Sequence, residues 1–508
     1  MATKVGTVFN YLQLPNVSKF AFVINKRQDG IFIQKGLFVS TKSNEGFLIG
    51  IIEEIILLNE YFTDALTIKA YNNNNNPNIL KGLFPSDDFE FAIAVVKCLG
   101  IIKFMDNKEK EIERIQRMTY PASPGKAVYI VEEDILNRFL GFDPKLGLHI
   151  GQVKVTNSKA QIDMNRLLNK HFAILSISGG GKSYLTSVLI EELLTRKEDL
   201  GTPAIILFDI HGEYMYLKDI PELKDKVNIQ DISYFQIGIP KLSAYSFKKY
   251  QDQISSVQVR ELLKYIKRLR REKDTRNQYT LNDIIEQIEN ESDGNKSTKQ
   301  ALIGWLSELE RLTLFGSQEN PFLDKVVNKQ MVTIFNFKEE VSIRKKQIIV
   351  DYICNRLFNL RRSNKIPPFL LIVEEAHQLC PEAAHSSAIS KPIIEMLARE
   401  GRKFMACLCL ISQRPKKLST TALSQCNSKL VLNIKNPYDL KHLMDSSEAI
   451  TKEYASMISS LGVGEMILMG NAVNYPVFID VRKRRYKSRG EEISLAQFCL
   501  NWPNKELK

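Results

Sequence analysis

The chain has 508 residues, of which 44% are hydrophobic and 25% charged, as in an ordinary folded protein of several domains; collagen-like, mucin-like and globally disordered chains are excluded. Its 70 lysines and arginines against 58 acids leave a net charge of +12, which favours an anionic partner, nucleic acid first. Seven cysteines form neither a CxxC pair nor a zinc pattern, which excludes a disulfide scaffold and fits a reducing cytoplasm.

From the N-terminus, Val5 to Phe9, Lys19 to Asn25, Gly30 to Ser40 and Gly46 to Leu58 read as strands, rich in β-branched and aromatic residues and punctuated by Gly, Asn and Asp. Their close spacing predicts a small β-barrel. The apolar runs Phe47 to Leu58 and Phe91 to Phe104 carry Glu53, Glu54 and Lys97 and are too short for a bilayer, so no membrane span is expected. Asn72 to Asn76 predicts a polar loop, residues 105–118 a charged helix, and Pro121 to Gly125 the entry to a strand over Ala127 to Val131. A domain boundary is expected near Gly147 to Gly151, closing an N-terminal barrel over 1–150.

Beyond residue 165 apolar strands alternate with amphipathic helices. The strands are His171 to Ser176, Ala204 to Asp209, Met331 to Phe337, Phe369 to Val373, Phe404 to Ser412 and Lys429 to Ile434. Leu185, Val188, Leu189 and Leu193 keep helical spacing, as do Ile349, Tyr352, Ile353, Leu357 and Leu360. This alternation predicts an α/β domain over 151–480, with a mostly parallel sheet covered on both faces. Residues 240–328 form a helical, charged insert, in which Arg268, Arg270 and Arg271 mark a solvated face or a nucleic-acid or subunit contact. The tail, 481–508, opens with six basic residues in eight, Arg482 to Arg489; phosphate binding, a solvated strand end and a subunit contact all fit.

Four stretches carry chemistry. Ser176-Ile177-Ser178-Gly179-Gly180-Gly181-Lys182-Ser183 follows a strand and opens a helix, the context of a phosphate-binding loop. Glycines let backbone N–H groups curl around an anion, and the helix N-terminus adds partial positive charge. Ser178 to Gly181 would cradle ATP, Lys182 reach its β and γ phosphates, and Ser183 bind Mg²⁺; Ser176 stands where glycine is usual. The strand Phe369 to Val373 ends in Glu374 and Glu375, the first to hold the Mg²⁺ shell through water, the second to act as general base. The strand ending at Asp209 leads into His211-Gly212-Glu213-Tyr214, where Asp209 or Glu213 would position metal or water. Gln413 closes another strand as a γ-phosphate sensor, with Arg399 and Arg402 upstream as candidate cations for the transferring phosphoryl group.

Taken in this order, the motifs resemble the HerA branch of the HerA/FtsK hexameric ATPases. The matching stretches run from Lys170-His171 to Ser183, then Phe208 to Tyr214, Val373 to His377, Arg399 to Phe404, Ser412 to Pro415, Ala422 to Asn427, Asn436 to Asp439 and Gly464 to Pro476. The N-terminal strands, with Pro124-Gly125 and His149-Ile150-Gly151, look like the family's accompanying barrel. The resemblance implies a RecA-like core, a homo-hexameric ring around double-stranded DNA, ATP and Mg²⁺ between subunits, and a NurA-type nuclease partner in end resection for recombinational repair. It also implies that Lys170 occupies the position of a basic residue acting across the subunit boundary, where lysine lacks the bidentate geometry of arginine. Lys416 and Lys417, next to Gln413, are candidates for the DNA channel. The same motor would also serve in plasmid or viral packaging, conjugation or antiviral defence, or the chain would be a nucleotide-gated ring controlling an effector.

Overall fold

A computed structural model describes residues 3–10, 15–25, 33–59, 62, 65–73, 90–104, 112–272, 278–292, 294–382, 387–446 and 450–486. They divide into two units, one reaching Asp163 and including Val473–Asp480, the other holding Met164–Ala472 and the residues from Val481 onward.

In the first unit seven antiparallel strands, β1 (Lys4–Phe9), β2 (Lys19–Ile24), β3 (Phe38–Ser43), β4 (Gly46–Asn59), β5 (Glu90–Phe104), β6 (Ile112–Gln116) and β7 (Ala127–Ile130), run in the order β2-β1-β7-β3-β4-β5-β6. A further pairing of β2 with β5 joins the ends, so the sheet closes as a barrel and loses most of its free edge. Alternation supplies the core: Phe20 and Phe22 point inward from β2 and meet Val39, Leu48, Val96 and Val128. The long strands β4 and β5 change register between Ile49 and Gly50 and again between Ile52 and Glu54, irregularities that let them bend around the barrel.

Several boundaries differ from those expected. Of the third expected strand, Gly30 to Phe32 lie outside the described residues, and among those that follow the strand begins at Phe38. Asn72 and Asn73 end a helix, Ala65–Asn73, and the rest of the Asn run lies outside the described residues. Residues 112–116, expected within a helix, form β6 because their partner is β5, with Ile102 opposite Ile115; residues 105–111 lie outside the described residues. The helix Glu133–Leu140 and a hairpin of β8 (Leu148–Val153) and β9 (Lys159–Ile162) also belong to this unit, which moves the boundary past residues 147–151.

The second unit is built on β10 (His171–Leu175), β11 (Ala204–Asp209), β12 (Val227–Asp231), a short pair β13 (Ile237–Gly238) and β14 (Phe315–Gly316), β15 (Val332–Asn336), β16 (Phe369–Val373), β17 (Ala406–Ser412), β18 (Cys426–Val431) and β19 (Glu465–Gly470). Its sheet runs β12-β15-β11-β16-β17-β10-β18-β19 and is parallel until β19, which is antiparallel to β18. Every residue of β10, β11, β15, β16 and β17 is buried, as a parallel sheet with helices on both faces requires. The late strand β20 (Val477–Val481) returns to the first unit, where Phe478 accepts the Lys154 N–H at 2.9 Å.

The insert between β12 and β15 contains the helices Ala244–Tyr250, Ser256–Glu272, Leu281–Asn290, Lys296–Glu310 and Leu323–Val326, together with the β13–β14 pair. It is fastened to the long helix Ile343–Arg362: Lys249 pairs with the buried Asp351, and buried Glu319 accepts from Tyr352 Oη at 2.9 Å and Arg356 Nε at 3.1 Å. Two of its three clustered arginines are occupied internally. Arg268 pairs with Glu291 at 3.0 Å, and Arg270 donates to the carbonyls of Pro240 and Leu242. Among the described residues no helix is long and apolar enough to cross a membrane.

Candidate functional site: a phosphate loop beside a buried glutamate

Strand β10 lies between β17 and β18, and both neighbours hold the chain as it leaves the sheet. The Ser176 N–H donates to Ser412 O at 3.3 Å and the Ile177 N–H to Asn433 O at 3.0 Å. Ser176 is fully buried, and its Oγ donates to the Ile177 carbonyl at 2.9 Å. A Cβ on Gly180 would sit 2.1 Å from that Oγ, so the loop folds back on Ser176 only because residue 180 is glycine. Gly181, at φ 96°, starts the helix Lys182–Leu194 and offers no side-chain cap, which leaves the first helical N–H groups for an anion. Serine in place of the usual glycine at 176 is thus an internal pin of a loop that still closes. The cradle fits a polyphosphate.

Across from the loop, Lys182 Nζ lies 3.4 Å from Glu375 Oε1. Glu375 follows β16 directly and takes a left-handed backbone, φ 43°, a conformation that a non-glycine residue holds only when its surroundings impose it. Its side chain is 1% exposed, yet Oε2 accepts no hydrogen bond among the described residues. His377 Nδ1 lies 3.3 Å from Oε2 and is itself 3.2 Å from Ser412 Oγ. Burial pushes the His377 imidazole down, against the pull of Glu375. A buried carboxylate oxygen left without a donor, beside the lysine of a phosphate loop, is placed to take a proton from water.

Asp209 and Glu374 have other tasks. The Asp209 carboxylate is fully buried and accepts the N–H groups of Gly212, Glu213 and Tyr214 at 2.7, 3.0 and 3.0 Å, so it holds the turn after β11. Glu374 accepts from Tyr214 Oη at 2.8 Å and from the Ile210 N–H at 3.3 Å. Burial, with Asp209 close by, pushes its carboxyl well above the usual range. Without nucleotide both acids, expected to position metal or water, brace the neighbouring turn. Glu374 ties the end of β16 to the turn after β11, and that tie fixes where Glu375 begins. Tyr214, quoted in the sequence only as part of a motif, is the buried link.

The remaining candidates fall at both ends of the sheet. Gln413 follows β17 on the loop side, in register with the neighbouring strand's Leu175–Ser176 exit. Lys416 and Lys417 are exposed on a short turn there, with Lys416 Nζ 4.6 Å from the Tyr438 ring centroid. Lys170, Arg399 and Arg402 sit at the opposite edge, where β10 and β17 begin, and none forms an ion pair among the described residues. Five-residue β10 separates Lys170 from the loop by about 16 Å. These cations do not reach the chain's own phosphate loop.

Three arginines in the described part of the basic tail are engaged within the chain. Arg482 pairs with Glu191 at 3.1 Å and Glu192 at 2.9 Å, Arg485 also pairs with Glu192, and Arg484 lies over the Tyr184 ring at 4.5 Å. The described part of the tail is a strap along the chain's own phosphate-loop helix; Lys487 to Arg489 lie outside the described residues. Glu191 and Glu192 gave no local signal of this role.

His171 opens β10 and is 3% exposed; its Nδ1 accepts the Leu408 N–H at 3.0 Å. Burial, helped by Arg402, holds its imidazole down to about 4 from 6.5. The unfolded ring takes a proton first as pH falls, so stability present above 6.5 is lost progressively toward 4, up to about 3 kcal/mol in all. Urea midpoints across that window are expected to fall with pH, and to fall less in His171→Gln; equal falls in the two proteins would exclude His171 as the source.

The chain matches the family Helicase HerA, central domain, over residues 148–357. It is 28% identical to a probable helicase of Methanocaldococcus jannaschii over 483 residues, covering 91% of this chain and 89% of that protein. It is 27% identical to the DNA double-strand break repair helicase HerA of Pyrococcus furiosus over 532 residues, covering 91% and 90%. Among solved structures it is similar to VirB4 of Thermoanaerobacter pseudethanolicus, with TM-score 0.52 and 14% identity over 68% of this chain and 99% of that one, a likeness of fold. The loop, its lysine and the buried glutamate lie together at one end of the mostly parallel sheet, the arrangement an ATPase requires. The N-terminal barrel, the sheet order and relatives matched over nine-tenths of the length agree with that site, and over most of its length the chain is similar to the HerA-type helicases.

Proposed function

We propose that the protein is a cytoplasmic, ATP-driven motor on double-stranded DNA, working as a homo-hexameric ring with a NurA-type nuclease in end resection for recombinational repair. The observation that carries the ring is the placement of Lys170, Arg399 and Arg402. None of the three forms an ion pair among the described residues, and all lie at the strand ends remote from their own phosphate loop, a placement that supports action on a neighbour's nucleotide. The DNA part is supported by the likeness over nine-tenths of the chain to a probable helicase and to a double-strand break repair helicase.

In this reading Lys182 counters the β and γ phosphates, Glu375 takes the proton of the attacking water, and Gln413 hydrogen-bonds the γ-phosphate. Among the described residues no three His, Cys, Asp or Glu side chains are grouped to hold a metal. Mg²⁺ would be held by the Ser183 hydroxyl and the nucleotide's own phosphates, and when bound it neutralises developing charge on them. ATP hydrolysis measured with and without linear duplex DNA tests the proposal. Several-fold stimulation is expected; slow turnover indifferent to DNA, with no hexamer by sedimentation, would overturn it.

A further inference from the structure

The γ-phosphate end of a bound nucleotide faces Glu375, which follows β16, and Gln413, which follows β17. Both strands lie on the same side of β10 in the sheet, while β18 and β19 lie on the other. The nucleoside therefore leaves the loop toward β18 and β19. On that side a Cβ on Gly181 would sit 3.4 Å from Leu432 Cδ2 and 3.9 Å from the Gly464 nitrogen. The Gly464 carbonyl in turn accepts the Val481 N–H at 2.9 Å, and from Val481 the chain runs straight into the strap.

The strap places three arginines, and they are not equivalent. Arg482 and Arg485 pair with Glu191 and Glu192, lower on the helix. Arg484 pairs with no carboxylate among the described residues. Its guanidinium lies 4.5 Å from the Tyr184 ring centroid and 5.7 Å from that of Tyr216, and its backbone N–H donates to Tyr184 Oη at 2.8 Å. Tyr184 is the residue directly after Ser183, and both Tyr184 and Arg484 remain partly exposed. An aromatic ring and a planar cation, stacked beside a phosphate loop on its nucleoside side, present the surface that a heterocyclic base prefers.

We propose that Tyr184 and Arg484 form the wall on which the base of ATP stacks, so that the C-terminal strap sets nucleoside affinity and favours purines over pyrimidines. This rests on the phosphate-loop assignment. A purine offers the larger face to the stack, whereas the loop itself grips only phosphates and is blind to the base.

The test is displacement of a ribose-labelled fluorescent ATP analogue from the full chain by ATP, by UTP and by inorganic tripolyphosphate. Tripolyphosphate reads the loop alone. Arg484→Ala and Tyr184→Ala are expected to weaken ATP roughly tenfold, to remove the preference for ATP over UTP, and to leave tripolyphosphate unchanged. Tyr184→Phe keeps the ring and is expected to keep the affinity. Equal losses for ATP and tripolyphosphate would mean that the strap merely supports the helix, and would overturn the proposal. So would a wild-type protein that binds ATP and UTP alike. Failure of tripolyphosphate to compete at all would overturn the phosphate-loop assignment and this inference with it.

Discussion

Lys182→Ala is expected to bind ATP roughly a hundredfold more weakly and to lose hydrolysis with it, because a charge-assisted contact to phosphate disappears from an otherwise intact loop. The substitution also leaves Glu375 without its 3.4 Å partner. A carboxylate that is 1% exposed and stripped of its cation destabilises the fold locally, so a lowered melting temperature without nucleotide accompanies the binding defect. Titration calorimetry with ATP and a thermal melt separate the two effects. Wild-type affinity in this variant would refute the loop assignment outright.

Glu375→Gln has a different signature. The amide keeps the shape of the side chain and removes its basicity, so turnover is expected to fall by roughly a hundredfold to ten-thousandfold while ATP remains bound. The ground-state geometry adds a second expectation. Lys182 is shared between Glu375 and any incoming phosphate, so a neutral residue at 375 releases the ammonium for the nucleotide. ATP affinity should therefore rise several-fold, measured as a lower dissociation constant at equilibrium. Near-normal hydrolysis would move the general base away from Glu375, and with Asp209 and Glu374 occupied in bracing, Glu213 would be the first residue to try.

Local features were legible in the sequence and distant ones were not. Strands β11 and β16 match their expected limits because each is a continuous apolar run with sharp ends, Asp209 for one and Pro367-Pro368 for the other. The positions of Ser176 to Ser183 and of Glu375 at strand ends were legible for the same reason: each motif is contiguous and sits where strand meets helix or turn. Residues 112–116 were misread as helix because Ile-Glu-Arg-Ile-Gln carries no strong strand signal of its own; its conformation comes from β5. The bracing roles of Asp209 and Glu374 depend on Tyr214, whose hydroxyl reaches across 160 positions to Glu374. No spacing rule reports that. The tail arginines show the same limit, since a run of positive charge does not reveal that its acids lie on a helix far upstream.

The strap gives the molecule an order in time. Glu191 is fully buried, and its carboxylate is met by Arg482, Arg485 and Tyr486, the first of them 291 positions later in the chain. During synthesis the phosphate-loop helix emerges early and carries a carboxylate that cannot be buried cheaply without that company. The helix settles into its final environment only once residues 482–486 have left the ribosome. An incomplete product would then hold every residue of the phosphate loop and still lack a finished one, so that prematurely ended copies are poorly placed to bind nucleotide.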